Sequence, residues 1–110
     1  MRDVNAEIDQ IVKSNPVVLF MKGTPSFPMC GFSARTAEIL KACGVATSQI
    51  KSVNVLEDPD IREGVKTYGQ WPTIPQLYVN GQLVGGCDIA MDMYQSGELA
   101  PLLQSALKPA

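Results

Sequence analysis

Apolar residues along the chain follow two spacings, one typical of strands and one typical of helices. Val17 to Met21 is a continuous apolar run, which predicts a strand covered on both faces. Val53 and Val55 alternate with polar residues and predict a second strand. Asn80-Gly81 separates two short apolar runs, and this dipeptide is the strongest short-range signal for a β-hairpin. The predicted strands are residues 17–21, 50–56, 76–79 and 82–84.

Helical spacing occupies the segments around these strands. Asp58-Pro59 opens the clearest helix, because Asp is a favoured N-cap and Pro is tolerated in the first turn. Gly44 is expected to end the helix predicted over residues 33–43, and Asp88 is expected to cap the fourth helix. The predicted helical segments are residues 6–14, 33–43, 58–69, 88–93 and 98–107.

The predicted order of elements is αβαβαββαα. The first two strands and the helix between them fit a right-handed parallel βαβ unit, and the hairpin adds an antiparallel pair. A four-stranded mixed sheet flanked by helices is the economical packing, and this α/β layout is that of the thioredoxin fold. A chain of 110 residues can bury one core, so we expect a single domain over residues 1–110.

Composition and charge remove several classes of function. Apolar residues make up 45% of the chain, charged residues 18%, and the net charge is −2 without any Lys/Arg run, which disfavours a nucleic-acid partner. The longest apolar stretch, residues 16–21, is far too short to span a membrane, and the first dozen residues lack the apolar region of a signal peptide. We predict a cytoplasmic protein, with a mature organellar product as the alternative.

The chain contains three cysteines and no histidine. An odd number of cysteines without a secretion signal favours free thiols over a disulfide framework. The lack of histidine excludes His-assisted nucleophiles and His-containing metal sites. Any reactive cysteine must therefore be activated by other means.

Cys30 is the strongest candidate for a reactive thiol, because a predicted helix begins just after it and a helix N-terminus stabilises a thiolate. Lys22, after the first strand, adds a second positive charge. A buried structural cysteine is the alternative for Cys30, and a core position is favoured for Cys43. Ser33 stands where a dithiol oxidoreductase has its resolving cysteine, and we expect it to form a hydrogen bond at the helix start instead.

Two further clusters suit the binding of a small peptide. A cis bond before Pro75 would turn the backbone of Thr73 and Ile74 outward to pair with an extended peptide, whereas a plain strand-start proline would have no such role. Cys87 and Asp88 follow two glycines at a predicted helix start, whose N–H groups suit a carboxylate. A glycine turn with an Asp N-cap is the alternative there.

Together these clusters resemble the monothiol glutaredoxins of the CGFS type. The run Cys30-Gly31-Phe32-Ser33 alone would be a weak match, but the order and spacing of the matching segments are preserved over nearly the whole chain. One departure is Ile74, where many members have an aromatic residue. The matching segments are residues 21–25, 30–33, 71–81, 85–89 and 96–99.

The resemblance implies a glutathione site. Two cations would bind the glycyl carboxylate, the segment before a cis-Pro75 would pair with the cysteinyl backbone, and the start of the fourth helix would hold the γ-glutamyl end. From the residues alone, Lys22, Arg62 and Lys66 are cations that could serve one end of a small dianionic peptide, and surface solvation is the default for Arg62 and Lys66 taken singly. The positions implied for glutathione are Lys22, Arg62, Thr73, Ile74, Pro75, Cys87 and Asp88.

The resemblance also implies a 2Fe–2S cluster that bridges two protomers. Such a cluster takes four thiolates, so Cys30 from each chain of a homodimer and the thiols of two glutathiones complete the set. The partners it implies are a second copy of the chain, BolA-type proteins and apo iron–sulfur proteins. The expected roles are cluster transfer or storage and iron homeostasis.

Three functions stay open from the sequence. An iron–sulfur cluster carrier or sensor is favoured by Ser33 and by the resemblance. A glutathione-dependent oxidoreductase that deglutathionylates proteins would use Cys30 as its sole nucleophile, and we expect at most weak activity of this kind. A purely structural interaction module is the third. Cys87 is either a backbone contact only or a second thiol that pairs with Cys30 under oxidation.

Overall fold

The computed structural model describes residues 2–108. Its strands are β1 Val17–Met21, β2 Lys51–Asn54, β3 Gln76–Val79 and β4 Gln82–Gly85. They form one mixed sheet in the order β2-β1-β3-β4, with β1 and β2 parallel and the other two pairs antiparallel. The predicted parallel pair and the hairpin at Asn80-Gly81 are therefore both present, although β2 is shorter than the predicted strand over residues 50–56.

Five helices flank the sheet in the predicted order. They are α1 Val4–Ser14, α2 Gly31–Ala42, α3 Pro59–Gly69, α4 Cys87–Ser96 and α5 Leu99–Leu107. A short 3-10 turn at Thr47–Gln49 lies between α2 and β2, where the sequence pattern predicts no element. α1 begins earlier than predicted because the Asp3 carboxylate accepts a hydrogen bond from the Ala6 N–H. Across residues 2–108, no helix has the length and apolar character needed to cross a bilayer.

Each face of the sheet carries its own apolar core. α1 and α3 cover one face, where Val18 and Phe20 of β1 are buried. α2, α4 and α5 cover the other face, where Val17, Leu19 and Met21 are buried. Side chains of successive strand residues point to opposite faces, so all five residues of β1 are fully buried, as its continuous apolar run predicts.

The ends of α3 bring a loop to one end of the sheet. Asp58 caps the N-terminus of α3 as predicted, with its carboxylate accepting a hydrogen bond from the Ile61 N–H. At the other end Gln70 takes a left-handed backbone with φ of 50°. The Trp71 N–H then donates to the carbonyl of Lys66 at 3.0 Å, a bond that commonly closes a helix. The chain therefore leaves α3 in a sharp turn that starts at Trp71.

The loop between β1 and α2 places Cys30. The Met29 N–H donates to the carbonyl of Lys22 at 2.9 Å, which folds the loop back on itself. Gly23 has a φ of 88°, and a Cβ there would lie 2.4 Å from the Phe27 carbonyl oxygen, so only glycine fits this turn. Cys30 is therefore held at the start of α2 by a closed loop.

Candidate functional site

A cavity of about 420 Å³ opens where β1 ends and where α2 and α4 begin. Small-molecule sites usually have volumes of roughly 300–1,000 Å³, so the cavity is large enough for a small peptide. All eight site residues selected from the sequence line it. They are Lys22, Cys30, Arg62, Thr73, Ile74, Pro75, Cys87 and Asp88.

Cys30 is the N-cap residue of α2 and is partly exposed in the cavity. The backbone N–H of Ser33 is the main cause that lowers the pKa of the Cys30 thiol; partial burial opposes this effect, and the N–H of Phe32, the charge of Lys22 and the Ser33 hydroxyl add to it. No side chain of the described residues caps α2, so the N–H groups of its first turn are available to the thiolate. The helix start and Lys22, the two groups that the sequence analysis considered, are thus both among those that favour the Cys30 thiolate.

The other two cysteines lie in different surroundings. Cys43 directly follows α2 in the core, as expected, and burial raises the pKa of its thiol. Cys87 is the first residue of α4 and lines the cavity, but it is only 6% exposed. All three thiols are free within residues 2–108, and Cys30 is the one that is not buried.

Ser33 connects β1 to α2. Its side chain is fully buried, and its hydroxyl oxygen accepts a hydrogen bond from the backbone N–H of Lys22 at 3.0 Å. The expected hydrogen bond at the helix start is therefore made to the end of β1 rather than to α2 itself. Because the oxygen is used as an acceptor, the hydroxyl proton is free to point at Cys30, which fits its effect on the pKa of that thiol.

The start of α4 corrects one prediction. Gly86, rather than Asp88, is the N-cap residue, because Gly86 has extended backbone whereas Asp88 already lies in the first helical turn. Among residues 2–108, no side chain caps this helix, so the first N–H groups of α4 have no side-chain acceptor at the edge of the cavity. A Cβ on Gly86 would lie 3.2 Å from the Pro75 carbonyl oxygen and 3.3 Å from Trp71 Nε1, so the helix start is packed tightly against the opposite wall.

Trp71 to Pro75 form that opposite wall. The Ile74–Pro75 bond is cis, the conformation on which the predicted peptide-pairing role depends. The Nε2 atom of Gln76 donates to the carbonyls of Trp71 at 3.0 Å and Thr73 at 3.3 Å. The Trp71 indole nitrogen is buried and has no hydrogen-bond partner within residues 2–108.

Positive charge exceeds negative charge around the cavity. In the part of the chain that the structure describes, Lys22, Arg62 and Lys66 line it together with a single carboxylate, that of Asp88. Arg62 Nε is buried without a partner among the described residues, and Lys66 pairs with Glu63 at 3.1 Å. This balance suits a small ligand that carries more carboxylates than ammonium groups.

Comparison with known proteins identifies the family. Residues 17–84 match the family model described as Glutaredoxin. The chain belongs to the glutaredoxin family. It is 59% identical over 99 residues to "Monothiol glutaredoxin-5, mitochondrial" of Lachancea kluyveri, an alignment that covers 90% of this chain and 69% of that protein. It is also 48% identical over 98 residues to Glutaredoxin 4 of Escherichia coli, with 89% of this chain and 83% of that protein covered.

A solved structure agrees with the fold of this glutaredoxin. The solution structure of reduced poplar apo GrxS14 superposes with a TM-score of 0.79 at 46% sequence identity, covering 94% of this chain and 93% of that one. The predicted thioredoxin fold and the predicted kinship with monothiol glutaredoxins are thus confirmed.

Six further residues line the cavity of this glutaredoxin outside the eight selected from the sequence, and of these only Lys66 had been considered as a possible cation for the ligand. A signal for Lys66 was present, since it follows Arg62 by one helical turn and the two share a face of α3. Phe32 and Ile89 carried no such signal, because an apolar residue near a helix start resembles a core residue. The six are Phe32, Lys66, Trp71, Pro72, Gly86 and Ile89.

Exposed apolar side chains lie close to Cys30 along the chain. Phe27 is 78% exposed, Met29 69% and Phe32 57%, and we call these three residues the apolar rim. Within residues 2–108, a Cβ built on Gly31 would meet no atom within 4 Å, so open space adjoins Gly31. Exposed apolar side chains are typical of interaction surfaces when they are contiguous, and the apolar rim lies within three residues of Cys30 along the chain.

Proposed function

We propose that this chain binds glutathione and, as a dimer, a 2Fe–2S cluster held between two copies of Cys30, and that it acts in cluster transfer or storage and in iron homeostasis. One observation carries the proposal. Cys30 is a single accessible thiol, favoured as a thiolate, beside a cavity with an excess of cations. Kinship with the monothiol glutaredoxins supports the same function.

The cavity offers complementary groups to each end of glutathione, which has two carboxylates and one ammonium. Lys22 and Arg62 would bind the glycyl carboxylate, and the buried Arg62 Nε is a donor that still lacks a partner in the described chain. The uncapped N–H groups at the start of α4, at Cys87 and Asp88, would bind the γ-glutamyl carboxylate, with the Asp88 carboxylate near its ammonium.

The middle of the ligand would lie along the wall before Pro75. Within residues 2–108, the N–H groups of Thr73 and Ile74 take part in no backbone hydrogen bond, so they are available to the cysteinyl unit of an extended peptide. Cys30 lines the same cavity, which brings a glutathione sulfur close to the protein thiol.

The residues present also fit a shared cluster. Within residues 2–108, no group of three or more His, Cys, Asp or Glu side chains is placed to hold a metal ion. A set of four thiolates would instead consist of two copies of Cys30 and two glutathione thiolates. The apolar rim and the open space beside Gly31 would accommodate the second copy. When bound, the cluster is the cargo that supplies iron and sulfide to a recipient.

The proposed partners follow from this role. They are a second copy of the chain, a BolA-type protein and apo iron–sulfur proteins that receive clusters. We propose the cytoplasm as the compartment, with an organelle as the alternative because the Lachancea kluyveri relative is named as mitochondrial.

Anaerobic reconstitution with iron, sulfide and glutathione tests the proposal. We expect a coloured dimer, measured by the visible spectrum and by the mass in solution. Cys30→Ser should abolish the colour, whereas Cys43→Ser, which removes a core thiol, should leave it. A colourless monomer from the wild-type chain would overturn the proposal, and equal loss of colour in both variants would show that Cys30 is the wrong thiol.

The lowered pKa of Cys30 favours a second candidate, a glutathione-dependent oxidoreductase. The Cys30 thiolate would attack the glutathione sulfur of a glutathionylated protein, forming a mixed disulfide and releasing the protein thiolate. A second glutathione thiolate would then attack the glutathione sulfur of that mixed disulfide, giving glutathione disulfide and free Cys30. Turnover on a glutathionylated peptide, together with failure to assemble a cluster, would establish this candidate in place of the first.

A further inference from the structure

Gln76 is a polar residue in the middle of the protein. It is the first residue of β3 and is fully buried, one of three such polar residues in the described part of the chain, with Ser33 and Thr36. A buried amide must satisfy its donors and acceptor within the protein, because leaving them unpaired is unfavourable. The hydrogen-bond partners of the Gln76 amide therefore show which parts of the fold it connects.

The Gln76 amide joins the cavity wall to the sheet. Its Nε2 donates to the carbonyls of Trp71 at 3.0 Å and Thr73 at 3.3 Å, and its Oε1 accepts from the Tyr78 hydroxyl at 2.9 Å. Carbonyls only accept, so the amide nitrogen must face the wall and the amide oxygen must face Tyr78. Burial raises the pKa of Tyr78 to about 12, so the hydroxyl remains a donor at neutral pH.

The end of α3 leaves room for this arrangement. A Cβ on Gly69 would lie 2.5 Å from Tyr78 Oη and 2.9 Å from Gln76 Oε1, so any larger residue would displace the pair. Three parts of the fold therefore meet at one amide: the last residue of α3, the sheet through Tyr78, and the wall through the two carbonyls.

The two bonds to the wall turn its carbonyls inward. Trp71 and Thr73 each direct a carbonyl at Gln76, while the N–H groups of Thr73 and Ile74 lack backbone acceptors within residues 2–108. The segment is thus anchored from behind through its acceptors, and its donors are left for the cavity side.

We propose that Gln76 is a positioning residue, which holds the wall from Trp71 to Thr73 in the form that receives the ligand. This role rests on the proposed binding of glutathione for its functional consequence. The position of the wall itself does not depend on any ligand, and Trp71, the only tryptophan in the chain, reports on it directly.

Gln76→Met keeps the length of the side chain and removes its hydrogen bonds. Tyr78→Phe is the matched control, because it removes a bond from the same amide but leaves both bonds to the wall. The measurements on the free protein are acrylamide quenching of Trp71 fluorescence, its emission maximum and the melting temperature. Glutathione affinity is measured by calorimetry on the same samples.

We expect Gln76→Met to raise the quenching constant of Trp71 and to shift its emission to the red. Glutathione binding should weaken about tenfold, which is the effect of leaving buried polar groups of a binding site unpaired. Tyr78→Phe should lower the melting temperature without any of these three changes. Unchanged quenching in Gln76→Met, or equal quenching in both variants, would overturn the proposal.

Two further arms keep the outcome clear. If Gln76→Met does not fold, Gln76→Glu replaces it, since a carboxyl group cannot donate to both carbonyls, and the same rise in quenching is expected. If the wild-type chain binds no glutathione, the proposed function fails, while the quenching comparison still decides whether Gln76 positions the wall.

Discussion

Replacing Ser33 with alanine should alter both the reactivity of Cys30 and the stability of the protein. The change removes one buried hydroxyl, which accepts from the Lys22 N–H at 3.0 Å and supports the Cys30 thiolate. Without it, the pKa of Cys30 should rise from its lowered position. An unpaired buried donor costs about 1–3 kcal/mol, and Lys22 is only half-buried, so we expect a loss of about 1 kcal/mol.

For a domain of 110 residues, that loss corresponds to a fall in melting temperature of about 4 °C. The assay for the thiol is the rate of iodoacetamide alkylation against pH, with the Cys30 peptide quantified by mass spectrometry. The buried Cys43 in the same sample is the internal reference. The midpoint of the Cys30 profile should move to higher pH in Ser33→Ala, because the thiolate then forms only at higher pH.

Thr36→Val is the matched control for this experiment. Thr36 is a second fully buried hydroxyl on α2, but it donates to the carbonyl of Phe32 and is not among the groups that lower the pKa of Cys30. Its alkylation profile should match that of the wild type. The reasoning is refuted if Ser33→Ala leaves both midpoint and melting temperature unchanged, or if Thr36→Val moves the midpoint equally.

Three other substitutions test the fold. Arg2→Ala removes ion pairs to Glu7 and Asp58, so denaturant unfolding should show lower stability at pH 7, less so at high salt. Arg2 lowers the pKa of Asp58 below its ordinary value of about 3.9. The difference in stability between Arg2→Ala and the wild type should therefore disappear as the pH falls through that lowered pKa. A difference in stability that persists at lower pH would contradict this. Gly31→Ala should raise the unfolding free energy by about 0.4–1 kcal/mol, since its Cβ meets open space; a lower value would reveal strain at that position. Leu103→Ala should lower the unfolding free energy by about 2–5 kcal/mol in urea, because Leu103 is fully buried, and a loss below 1 kcal/mol would place it outside the core.

Elements with local signals are predicted well from the sequence. β1 is predicted to the residue because a continuous apolar run has one packing solution, and the start of α3 because Asp58-Pro59 is a strong cap. The start of α4 is predicted wrongly, since Gly86 and Asp88 are both acceptable caps two positions apart. Gly86 caps the helix where its backbone passes close to the wall on the other side of the cavity, a contact between distant parts of the chain that no local pattern predicts.

The candidate site follows a similar division. Cys30 was selected from its place at a helix start, and the resemblance to the monothiol glutaredoxins gave the other seven positions; all eight residues line the cavity. Contacts made between distant parts of the chain leave no local signal in the sequence. Nothing local shows that the Ser33 hydroxyl joins α2 to β1, or that Gly69 makes room for the amide of Gln76. A polar residue within an apolar segment, such as Gln76, indicates that a contact of this kind exists but does not identify its partners.

The central position of β1 has a consequence for motion. β1 is paired on both edges and buried on both faces, so its amide hydrogens can exchange with solvent only when the whole protein unfolds. The loop from Lys22 to Met29 is attached to this strand and is largely exposed, so it can open by local fluctuation while β1 stays closed. Hydrogen exchange should therefore separate the two by orders of magnitude. Cys30 therefore lies after a loop that fluctuates quickly, while β1, the strand before that loop, opens only on the timescale of global unfolding.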